Sequence, residues 1–258
     1  MHCPRVPTPA TMDRNDRPSD PGTSPMLAPL ALLAALALAP RPAPADDPPA
    51  KPPVDSFKPD PGWKPLGKDL WFDPNGRRLV LRARVALRDG ALEHLICVRG
   101  SKDHESTLTT EAQPRRIHAG LILAGATPGH PVRFDPKFEP PAGSPIAIDL
   151  EWADDAGKAR RADARTWVKD MKTNEVLKTD WVFAGSELFA DPKTGEKIYA
   201  ADEGDIATVA NFPSSTLDLP FRSSASDADR TFVSNTDAMP ARGTPVTVYL
   251  KPRAKTAP

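Results

Sequence analysis

Cysteine is almost missing from this chain: its 258 residues hold two, Cys3 and Cys97. A disulfide framework is excluded, because a fold stapled by bridges needs several pairs. Net charge is missing as well, with 34 Lys and Arg against 34 Asp and Glu, which argues against a nucleic-acid or polyanion partner held by bulk electrostatics. No glycine loop of the phosphate-cradling kind and no Gly-x-Ser-x-Gly elbow occurs, so those chemistries have no anchor. No internal repeat is found. The longest apolar run, Met26 to Ala39, is interrupted by Pro29 and falls short of the roughly 20 apolar residues of a membrane span.

What that run does fit is an export signal. It is rich in Leu and Ala and is followed by the small-residue pattern Ala43-Pro44-Ala45, which predicts cleavage after Ala45. The polar stretch before it is long for a signal, and translation from Met12 or Met26 would shorten it. No cysteine stands directly after the run to accept a lipid. The expectation is an exported chain, periplasmic or secreted, with no integral span once mature. Removing residues 1–45 takes away Arg5, Arg14, Arg17 and Arg41 against Asp13, Asp16 and Asp20, leaving 30 basic and 31 acidic residues with Cys97 unpaired.

Residues 46–65 carry prolines and charges with little apolar surface, the composition of an extended linker. One domain is expected over residues 66–252, followed by a tail at 253–258. Its dominant period is two: Leu79, Leu81, Ala83, Val85 and Leu87 alternate with Val80, Arg82, Arg84, Ala86 and Arg88, a half-buried strand. Asn75-Gly76 and Asp89-Gly90 read as hairpin turns, the second leading into Ala91 to Val98 as a paired strand. Further alternation at Ile146 to Trp152 and Val246 to Leu250, and turn clusters at Asp154 to Gly157, Asp191 to Gly195 and Asp202 to Asp205, complete the pattern. The fold predicted is mainly β, with antiparallel sheets in a sandwich or barrel and one short helix near residues 114–124. Pro114 suits the first helical position, Ile117, Leu121 and Ile122 supply an apolar face, and Gly125 ends the helix.

The chemistry concentrates between Cys97 and His118. Cys97 ends a strand, the loop Gly100 to Ser106 holds Lys102, Asp103, His104 and Glu105, and His118 lies on the helix that follows. A metal reading takes Cys97, His104, Glu105 and His118 as ligands for zinc or a related transition ion, with Lys102 a candidate for a cofactor or ligand. The spacing matches no zinc signature, since His104-Glu105 has no second histidine four residues on. A nucleophilic reading makes Cys97 a thiolate activated by His104 or His118. The plainer alternatives are a small buried cysteine, a core-edge histidine and a solvated charged loop. The alternation leaves open which face of its strand Cys97 occupies.

At these residues the chain resembles the bacterial YdjY-type domain. The resemblance rests on the cysteine-bearing strand, the Gly100-Ser101-Lys102-x-His104-Glu105-Ser106 loop, and the proline-started helix ending Leu121-x-Leu123-x-Gly125-x-x-Pro128-Gly129. Trp181 to Ser186 and Val209 to Pro213 extend it over most of residues 66–252. It implies export and a single domain, and it assigns no chemistry. Some relatives carry iron-sulfur segments, but one mature cysteine excludes a cluster held by this chain alone. The leading functional expectation is a binding module for a metal, small ligand or protein. The alternative is a small extracytoplasmic hydrolase or redox enzyme using Cys97 or a bound metal. Weaker features are the Arg82, Arg84 and Arg88 face as an anion site or a solvated surface, and Trp152, Trp167 and Trp181 as a glycan platform or core. Asp202 to Asp205 and Asp227 to Asp229 read as turns rather than calcium loops.

Overall fold

The computed structural model describes Asp55, residues 57–224, Ser226 and residues 231–253. The export-signal run and Asp227 to Asp229 lie outside these residues. No helix among those described is long and apolar enough to cross a membrane.

Eight strands close a barrel: β1 (Arg78–Val85), β2 (His94–Val98), β3 (Ser106–Thr110), β4 (Pro145–Ala153), β5 (Trp181–Phe183), β6 (Asp205–Thr208), β7 (Leu217–Asp218) and β8 (Pro245–Pro252). Their order is β1-β8-β4-β5-β7-β6-β2-β3, and Arg84↔Thr109 and Val85↔Leu108 join β3 back to β1. β8 lies antiparallel between β1 and β4, as Val248 pairs with both Leu81 and Leu150. Three extra strands lengthen the sheet outside the ring. Leu70–Asp73 pairs with β1 and carries Lys64–Gly67 beyond it, while Ala159–Asp163 pairs with β4. Val168–Asp170, Phe232–Ser234 and Ala91–Leu92 form a separate small sheet.

The mainly β fold in its barrel form is the expected one, but it is mixed. β2 runs parallel to β3, and β6 parallel to β7. Ala91 to Val98 does not form a hairpin with β1: its first two residues pair with Phe232 and Val233, and β2 sits between β3 and β6. Strand alternation fixes which side chains share a face and leaves strand direction and partner open.

The helix α1 spans Pro114–Leu123, with Pro114 at its start and Ile117, Gly120 and Leu121 buried. Ile122 is 49% exposed, a correction to the expected face, because five positions from Ile117 it has turned about 140° around the axis. Gly120 takes that place, letting the helix lie against Leu79 and Leu66: a Cβ there would meet Leu79 Cδ2 at 2.5 Å. Gly125, at φ +94°, turns the chain out of the helix.

The core is one cluster that includes Leu81, Ile96, Leu108, Ile117, Leu150, Trp181 and Phe183. Trp167 and Trp181 are fully buried, so they are core and no exposed platform. The arginine face of β1 is likewise no uniformly solvated surface. Arg82 is buried under Asp55 and Phe57, Arg84 is half-buried, and Arg88 is exposed beyond the strand end.

Candidate functional site

The site is built by the tight return between β2 and β3. Parallel neighbours are usually joined by a crossover of a dozen or more residues; here Arg99 to Glu105 alone brings the chain back. Gly100, at φ +81°, starts the turn, and Asp103 holds it. One oxygen of Asp103 accepts from the Gly100 amide at 2.9 Å and the Thr109 hydroxyl at 3.3 Å, with the Cys97 thiol 3.6 Å away. Because His94 registers with Ser106, the residues just before them are also neighbours, and the Glu93 amide donates to the Glu105 carbonyl at 3.0 Å. Glu93, His94 and Glu105 thus form a group whose ligand atoms all lie within 4.8 Å of one another.

His94 is fully buried, its ring stacked on Phe212 at 5.5 Å and 10°. Its Nε2 lies 2.8 Å from Asp205 Oδ1, at the start of β6. Asp205 also accepts from Lys102 Nζ at 2.7 Å and from the Ser214 hydroxyl. Burial on its own would raise the Asp205 pKa; hydrogen bonds from His94, Lys102 and Ser214 outweigh it and hold the carboxyl well below the usual range. Asp205 is therefore a fixed anion. A neutral ring that gives its Nε2 hydrogen to that anion keeps the lone pair on Nδ1, which has no hydrogen-bond partner among the described residues. A carboxylate on one ring nitrogen, orienting the other toward an ion, is how ligating histidines are held in metal sites.

The expected ligands do not converge. Glu105 belongs to the group, and Lys102 reaches its supporting Asp205. His104 is 79% exposed, its Nε2 3.6 Å from Glu105. Cys97 is fully buried, and burial pushes its thiol pKa up, against a resting thiolate. His118 lies elsewhere: its Nδ1 is 2.9 Å from the Tyr199 hydroxyl and its ring meets Phe183 edge-on at 4.8 Å. Burial lowers the His118 pKa against a Gly185 backbone hydrogen bond, and burial pushes the Tyr199 phenol up to about 12. His118 is a satisfied core-edge histidine. Sequence reasoning missed Glu93, His94 and Asp205. The adjacent Glu93-His94 pair at a strand start was the available signal, whereas nothing local connects residue 94 with residue 205.

A family model described as YdjY domain matches residues 70–251 of the chain. No curated protein and no solved structure matches it.

Proposed function

Since the chain belongs to the YdjY domain family, and membership brings no chemistry with it, we propose from the site itself that the protein is a divalent-cation-binding module working outside the cytoplasm. Glu93, His94 and Glu105 hold the ion. The observation that carries this is the group itself: Glu93, His94 and Glu105 have ligand atoms within 4.8 Å of one another, and the His94 ring is buried with Nε2 committed to Asp205 and Nδ1 without a hydrogen-bond partner among the described residues. One imidazole and two carboxylates form a set of borderline and hard donors, suited to zinc, manganese or ferrous iron and not to thiolate-seeking ions. The export run Met26 to Ala39 supports the location.

The test is elemental mass spectrometry on tag-free protein offered zinc, manganese and ferrous iron. Near-stoichiometric metal is expected, lost in Glu93→Gln and Glu105→Gln and retained in Cys97→Ser, His104→Ala and His118→Ala. A well-folded parent that takes up none of these metals refutes the reading.

A second reading, metal-assisted hydrolysis, draws on the same donor count. Three protein ligands leave coordination positions for a water, as catalytic zinc sites do. Ester or amide turnover that requires the metal and disappears with Glu105→Gln would establish it.

A further inference from the structure

Arg82 occupies an unusual setting for an arginine on a barrel strand. Its side chain is only 10% exposed, and it sits in the wall of a cavity of about 210 Å³ that Asp55, Phe57, Glu151, Trp152 and Thr247 also line. Nη1 donates to Thr247 Oγ1 at 2.6 Å, and the guanidinium lies 4.3 Å from the centre of the Phe57 ring. Nη2 donates to Asp55 Oδ1 at 2.5 Å, and the other Asp55 oxygen is 3.5 Å from Arg84 Nη2. The Phe57 amide donates to Asp55 Oδ1 at 3.1 Å, so the acid and the ring two residues on are presented together.

Two features mark this contact as exchangeable. The Nε and Nη2 of an arginine form a fork that fits the two oxygens of one carboxylate. Here only Nη2 is engaged, and Nε is buried with no hydrogen-bond partner among the described residues. The Asp55 carboxylate is also one third exposed, and contacts at that exposure hold weakly. Asp55 and Phe57 come from the proline-rich stretch of residues 46–65, and Phe57 also lies beside Trp63 and Trp71.

We propose that Arg82, Arg84 and the adjoining cavity form a recognition site for a peptide segment carrying an acidic residue two positions before an aromatic one, and that Asp55 and Phe57 are its built-in occupant. The incoming carboxylate takes the Nε and Nη2 fork, and its aromatic ring takes the face of the guanidinium now covered by Phe57. The arm competes from the same chain at an effective concentration on the order of millimolar, so the site opens only to a partner that outcompetes it. The proposal is independent of the cation site.

The test uses the full chain and a fluorescent peptide copying residues 52–60, read by anisotropy. Asp55→Ala/Phe57→Ala protein should bind the peptide saturably, at least about tenfold more tightly than the parent, which keeps its own arm in place. Changing the peptide's Asp to Asn should abolish binding. So should Arg82→Met in the vacated chain. Because Arg82 is buried and its replacement puts folding at risk, the half-exposed Arg84→Met serves as a second variant and should weaken binding severalfold. A folded, vacated chain that ignores the peptide overturns the proposal, as does one that binds the Asn peptide equally well.

Discussion

Asp218 shows how differently two oxygens of one carboxyl can be treated. Oδ1 accepts from the Thr208 hydroxyl, the Asn211 amide and the Leu219 backbone, while Oδ2 is buried with no partner among the described residues. Burial outweighs those hydrogen bonds and raises the pKa to about 7. The folded state then keeps a proton that the unfolded chain releases near 3.8, so stability falls as pH rises through that window, by up to about 1.4 kcal/mol per pH unit, and levels off above it. Asp218→Asn, which stays neutral, should gain on the parent between pH 5 and 7.5 in urea-denaturation midpoints. A constant gap between the two would contradict the assignment. Cys97 should react with a thiol reagent at neutral pH far more slowly than a free thiol, and at full rate in denaturant; fast labelling of the native chain would restore the nucleophile reading. At this scale the sequence points to the loop that holds Glu105 and Lys102; Glu105 joins the carboxylate–histidine group and Lys102 reaches Asp205. It misses His94 because a histidine in an apolar strand looks like core until Asp205, 111 residues away, is brought to its ring.

Elements were the most legible level. The alternation of β1 and the capping residues of α1 act locally, and both elements form where they were expected. Pairing was not legible, because a two-residue period is the same for parallel and antiparallel neighbours. Asp89-Gly90 turns the chain without delivering the next strand to β1. α1 offers a direct test of the packing argument. Gly120→Ala gains helix propensity of about 1 kcal/mol but places a Cβ against the buried Leu79 and Leu66, an overpacking that costs about 1–3 kcal/mol. A net loss on the order of 1 kcal/mol is expected in thermal denaturation. Ile122→Ser, on the exposed side, should stay within about 0.5 kcal/mol of the parent.

For the whole molecule, an ion that binds only the folded barrel stabilises it by mass action. A cation at one hundred times its dissociation constant should add about 2.7 kcal/mol. The thermal midpoint of the parent should therefore climb with added metal, while Glu105→Gln stays flat; equal shifts in both would place the binding elsewhere. The barrel's closure itself could not be read from composition or period, since it depends on Arg84 and Val85 meeting Thr109 and Leu108. It has a consequence for how these molecules treat one another in crowded solution. A closed ring offers neighbours no row of unpaired amides, and among the described residues the large sheet ends at Lys64–Gly67 and Ala159–Asp163. The first end carries Pro65, which has no amide hydrogen to lend, and a register shift; the second displays the exposed Arg160 and Arg161. Both ends are blunted in the ways that block strand-by-strand growth between molecules, so this sheet is a poor template for fibrils.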